Sequence, residues 1–113
     1  MIVYCFGKVV LMENRATFIC QIRALRPGFA DEMLPEELAA MQAHSEYLDQ
    51  LKQETTFYLI GPCLDRAFGI VIFEADSLEA AHEMMAHDPS VERGVMSFEV
   101  HPFKISFWQP PQN

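Results

Sequence analysis

The chain has 113 residues, 8 basic against 16 acidic side chains for a net charge of −8, and half of its residues are hydrophobic, with only 5 Gly and 7 Pro. This is enough for one domain whose core needs no disulfide or metal staple, and the apolar content excludes a disordered chain. Phosphate affinity rests on clustered Lys and Arg, so scattered basic residues in an acidic chain argue against nucleic-acid and anionic-membrane partners.

The first sixteen residues form a unit of their own, an N-terminal appendage or extra strand over residues 1–16. Ile2-Val3-Tyr4-Cys5-Phe6 and Val9-Val10-Leu11-Met12 flank Gly7-Lys8 and could pair as a hairpin or supply an edge strand; equally, the working domain could begin at Met12. The apolar run is too short for a bilayer, and only Met1 precedes it where a secretory signal needs a basic segment. The expected setting is a reducing cytoplasm. Cys5, Cys20 and Cys63 fit this, being an odd number without C-x-x-C spacing or a nearby histidine pair.

From Thr17 the pattern is regular, and a single domain is expected over 17–107. Thr17–Leu25 is a β-rich run ended by Arg26-Pro27-Gly28. Pro35 with Glu36 and Glu37 then opens a helix running to about Gln53, since proline suits a first turn and acidic groups complement the positive helix end. Thr55–Ile60 and Ala67–Ala75 read as strands of a hairpin joined through Gly61-Pro62-Cys63-Leu64-Asp65-Arg66. Asp76-Ser77-Leu78-Glu79 carries capping-box spacing and opens a second helix that Pro89 terminates. A last strand is expected from Gly94 to about Phe107, and the proline-rich tail 108–113 cannot extend a sheet.

Strand, helix, strand, strand, helix, strand is the order of an α+β, ferredoxin-like βαββαβ protomer. Two helices cover one face of a four-stranded sheet. In the third strand Phe68, Ile70 and Ile72 alternate with Val71 and Phe73, and in the last strand Met96, Phe98 and Val100 oppose Val95, Phe103, Ile105 and Phe107, so both sheet faces read as apolar. A second copy packed sheet to sheet, a homodimer, would cover the open face; residues 1–16 folded across it are the alternative.

His44 is the first candidate for chemistry. Leu38, Met41, Leu48 and Leu51 form a stripe at helical spacing, and His44 falls on it, three after Met41 and four before Leu48. An inward imidazole needs a hydrogen-bond partner, and a paired core histidine satisfies that need without any chemistry. Asp88 immediately before Pro89 is an ordinary helix-to-turn junction, yet a carboxylate there could orient an inward imidazole and make an acid-base pair. Arg23 could hold an anionic substrate by a two-pronged contact or serve as an ion pair at the sheet border. Tyr47 and Tyr58 could donate to a ligand or simply find a partner. His82 and His87 read as surface residues, and Met33, Met41, Met84, Met85 and Met96 as core filling rather than a metal box.

Five short motifs in order resemble the YCII-related proteins: Ala43-His44-Ser45-Glu46-Tyr47-Leu48, Gly61-Pro62, Ser77-Leu78-Glu79-Ala80-Ala81, Asp88-Pro89 with Val91 and Gly94, and Val100-His101-Pro102-Phe103-Lys104. The resemblance runs from about Thr17 to Phe107. It implies a dimeric α/β barrel of ferredoxin-like protomers and a catalytic His/Asp pair at His44 and Asp88, with dehydrochlorination and muconolactone isomerisation among the activities of the family and the wider fold. The chain departs from the pattern in its short connection after Gly61-Pro62, in Ser90 where an aromatic residue is common, in Thr55-Thr56 in place of a glycine, and in the extra residues 1–16.

Two functions follow as expectations. One is a cofactor-independent enzyme acting on a small aromatic or unsaturated acid by isomerisation or elimination, with His44 moving the proton and Asp88 orienting it. The other is a non-catalytic small-ligand-binding or accessory domain. No phosphate loop, metal-ligand spacing or Ser/Cys triad pattern is present, so neither metal nor cofactor is expected.

Overall fold

The structure is a computed structural model that describes residues 2–5, 8–11 and 15–112. Strands β1 (Ile2–Cys5) and β2 (Lys8–Leu11) pair antiparallel, Ile2 opposite Leu11 and Cys5 opposite Lys8, in a two-stranded sheet separate from the main one. The alternative start at Met12 lies outside the described residues.

The domain follows the expected order: β3 (Ala16–Ala24), α1 (Pro35–Leu51), β4 (Phe57–Pro62), β5 (Gly69–Ala75), α2 (Leu78–Ala86), a single-turn helix α3 (Pro89–Glu92) and β6 (Met96–Pro102). The antiparallel sheet has the order β4-β5-β3-β6, the ferredoxin-like arrangement in which the first and third core strands are central. The expected β4–β5 hairpin forms, but β4 runs on through Gly61-Pro62, which were expected to stop it, and ends with Pro62 opposite Gly69.

Alternation along the strands places Phe18, Cys20 and Ile22 of β3 and Val71, Phe73 and Ala75 of β5 beneath the helices, all buried. Ala81 and Met85 of α2 and Leu48 and Leu51 of α1 complete this core. Ser77 caps α2 by accepting from the Ala80 amide at 3.0 Å, one residue beyond the Asp76 cap that the spacing to Glu79 implied.

Three expectations are corrected. Leu38 is 55 % exposed rather than part of the inner stripe of α1; the buried face is Glu37, Ala40, Leu48 and Leu51, about one residue's rotation away. Glu37 does more than complement the helix end. It accepts from the Leu34 amide at 2.7 Å and from the Arg26 guanidinium at 2.7 and 2.9 Å, which satisfies a carboxylate withdrawn from water. The last strand stops at Pro102, and its open face carries Ser97, Glu99 and His101, so β6 is apolar on one side only. The apolar part of the open sheet face includes Ile19, Ile70, Ile72 and Leu59, with Leu59 directly opposite Ile72.

α2 packs directly on β5, β6 and β3, whereas the backbone of α1 packs on α3 and stands off the strands. The space this leaves under α1 is the site.

Candidate active site

His44 sits in the middle of α1, and Asp88 at the junction of α2 and α3, 44 residues later; packing of α1 against α3 joins them. Asp88 is held in an extended backbone conformation, φ −60° and ψ 127°, as the following proline requires. Its carboxylate caps α3: Oδ1 accepts from both the Ser90 amide and the Ser90 hydroxyl at 2.8 Å. Oδ2 is thereby left for the imidazole, and His44 Nδ1 lies 2.5 Å from it. Gly94, at φ +73°, then turns the chain out of α3 towards β6 in a backbone conformation that glycine adopts without strain.

Asp88 is wholly buried and the His44 side chain is 13 % exposed. Burial pushes the Asp88 carboxyl up, but the hydrogen bond and charge of His44 together with the two Ser90 bonds outweigh it and hold the group below the ordinary aspartate value. With Asp88 ionised and the ring neutral, the His44–Asp88 contact is satisfied by the tautomer in which Nδ1 donates to Oδ2 and Nε2 carries the lone pair. His44 also lines a cavity of about 630 Å³ bounded by α1, the 3₁₀ turn Pro27–Ala30 and the β4–β5 connection. Apolar side chains such as Phe29, Met41, Leu48, Phe68 and Val71 form most of its wall. A fixed imidazole facing an apolar space suits proton transfer to or from a small organic molecule.

The other sequence candidates lie elsewhere. Arg23 is exposed, does not line the cavity, and its guanidinium stacks 5.1 Å from the centre of the Phe68 ring. Tyr47 does not line the cavity either; its hydroxyl donates to the Met84 carbonyl at 2.8 Å and ties α1 to α2. Tyr58 donates to Glu74 across the β4–β5 pair. Cys20 is buried, and burial with the nearby negative charge of Asp88 pushes its thiol up to about 12. Among the described residues, no group of three His, Cys, Asp or Glu side chains is placed to hold a metal ion.

Sequence reasoning missed two contributors. Ser90 supplies both donors that fix Asp88, and the Asp-x-Ser spacing of a helix cap was the available signal. Arg66 lines the cavity, and nothing local in the sequence announces it.

A four-stranded ferredoxin-like sheet with a buried carboxylate behind an inward histidine defines a small α+β domain with a preformed pocket on its helical side. The sequence profile of the YCII-related domain matches residues 18–104, and the chain belongs to that family. It is 37 % identical over 62 residues to the uncharacterised protein YjpA of Bacillus subtilis, a match covering 55 % of this chain and 73 % of that one. Among solved structures it is similar to the 5-chloro-2-hydroxyhydroquinone dehydrochlorinase TftG of Burkholderia phenoliruptrix, in complex with 2,5-dihydroxybenzoquinone. The TM-score is 0.60 at 25 % identity over 77 % of this chain and 93 % of that one. No helix among the described residues is long and apolar enough to cross a membrane.

Proposed function

We propose that the protein is a cofactor-independent proton-transfer enzyme acting on a small aromatic or unsaturated acid, by isomerisation or elimination. The observation that carries this reading is the 2.5 Å contact between His44 Nδ1 and a wholly buried Asp88 at the wall of an apolar cavity. Nε2 takes a proton from substrate carbon, the electron pair moves into a new double bond, and either a leaving group departs or the proton returns at another carbon. Asp88 does not touch substrate; it orients the ring and stabilises the imidazolium that forms. The similarity to a dehydrochlorinase supports the elimination arm, because dehydrochlorination removes a proton and a chloride.

The working unit in this reading is a homodimer paired through the open sheet face. Ile19, Leu59, Ile70 and Ile72 supply its apolar patch, and Phe107, 78 % exposed, follows β6 without cover. Light scattering is expected to give twice the chain mass, and Ile72→Lys to give the single chain; a monomeric parent protein contradicts this.

The reaction itself is tested by following solvent-deuterium incorporation or loss of leaving group across a panel of small aromatic and unsaturated acids, with 2,5-dihydroxybenzoquinone included. His44→Asn is expected to lower the rate by about 10²–10⁴-fold. Turnover that survives this substitution, or none across the panel in the parent protein, contradicts the proposal.

A further inference from the structure

Arg66 combines three features. It is the one non-glycine residue among those described with a left-handed backbone, φ +64°. Its side chain reaches from the β4–β5 turn across the cavity rim, where Nη1 donates to the Ala30 carbonyl at 3.2 Å. In a chain of net charge −8, it has no carboxylate partner among the described residues. The carboxylate next to it in sequence, Asp65, is turned back on the Ala67 amide at 3.0 Å, and the other cation at the cavity, Lys52, is paired with Asp49 at 2.8 Å.

The strained turn is held by the Arg66 amide donating to the Cys63 carbonyl at 2.9 Å and the Cys63 amide donating to the Phe68 carbonyl at 2.8 Å. A residue with a Cβ is disfavoured at such a φ and glycine is the ordinary occupant, so the turn itself does not call for an arginine. Only one of the five guanidinium N–H donors is used, which leaves a two-pronged face for a planar anion.

We infer that Arg66 is the specificity-determining anchor of the cavity and binds the carboxylate or ionised phenol of the substrate. This rests on the proton-transfer reading for the identity of the pocket, and it assigns to Arg66 the part that the sequence offered to Arg23. An anion held at the rim leaves the apolar ring or chain against Phe29 and Met41, with His44 in the same cavity. Neutral analogues of the same shape lose the ion pair and keep only the apolar contacts.

The test is an amide NMR titration of the full chain with benzoate and, separately, with benzamide. In the parent protein benzoate is expected to shift the amides of the cavity wall at lower concentration than benzamide. Arg66→Gly, which removes the cation and leaves the residue best suited to φ +64°, is expected to weaken benzoate by about tenfold or more and to leave benzamide unchanged. Arg66→Lys retains part of the preference, and Arg23→Gln all of it.

Benzoate binding that is unchanged in a folded Arg66→Gly, or lost in Arg23→Gln, overturns the inference, as does a parent protein that does not distinguish the two probes. Arg66-dependent benzoate binding in a parent protein that turns over nothing across the panel would defeat the proton-transfer reading while leaving the role of Arg66 in place.

Discussion

Asp88 holds the His44 ring with one carboxylate oxygen while Ser90 holds the other, so helix capping and imidazole orientation are carried by a single buried group. An aspartate that serves only as a cap does not need complete burial. Here burial is tolerated because both oxygens are bonded, and among the described residues no buried side-chain polar atom is left without a partner.

Replacing Asp88 should therefore damage stability as well as function. Asp88→Ala removes the cap and leaves the inward imidazole unpaired, a loss expected on the order of 3 kcal/mol in denaturant unfolding. Asp88→Asn keeps the shape and is expected to lose about 1–2 kcal/mol, with turnover falling well beyond what that stability change explains. A rate that follows the folded fraction alone would count against an orienting role.

Ser90→Ala deletes the hydroxyl donor to Oδ1 but not the amide donor. The expected outcome is about 1–2 kcal/mol of lost stability with partial activity. Full activity with unchanged unfolding would mean that the second bond is dispensable.

Acid should unfold the protein through two carboxylates. His44 and Ser90 hold Asp88 below the ordinary aspartate value against the upward push of burial, and the Arg26 bond followed by the Leu34 amide hold Glu37 below the ordinary glutamate value. A carboxyl depressed in the folded state contributes its full stability above its unfolded pKa of about 4 and loses it as pH falls through the lower folded value. Tm is expected to be level near neutrality and to fall below about pH 4, less steeply in Glu37→Gln. A level Tm down to about pH 2 contradicts the assignment.

The cysteines should react unequally. Cys20 is buried with its thiol pushed up to about 12, whereas Cys63 lines the cavity. In a Cys5→Ser background, iodoacetamide is expected to label Cys63 and to spare Cys20 until the chain unfolds, with benzoate slowing the Cys63 reaction. Prompt labelling of Cys20 would show the core to be open.

The element order was legible because proline, glycine and capping signals punctuate it at every junction, and the ferredoxin-like arrangement followed from that order alone. The inward face of His44 was legible from its spacing to Met41 and Leu48, but its contact with Asp88 depends on how α1 meets α3 and has no local signal. Leu38 was misread because an apolar residue in a first turn is indistinguishable by spacing from a core one. Glu37, two residues into the helix, was read only as a complement to the helix end because its partner Arg26 lies 11 residues earlier. The anion contact sought at Arg23 follows the strand pattern correctly, yet that face is the open side of the sheet. Arg66 escaped because a left-handed backbone at a non-glycine residue is visible only in the folded turn.

The most direct test of the central claim is a ¹⁵N spectrum of the histidine rings in mildly alkaline buffer, with His44 assigned by comparison with His44→Asn. His44 is expected to carry its proton on Nδ1 with a bare Nε2, a tautomer that is lost in Asp88→Asn and an Nε2 signal that moves when benzoate enters the cavity. A proton on Nε2, or a His44 signal indifferent to both Asp88→Asn and benzoate, would make the imidazole a structural filler and contradict the account.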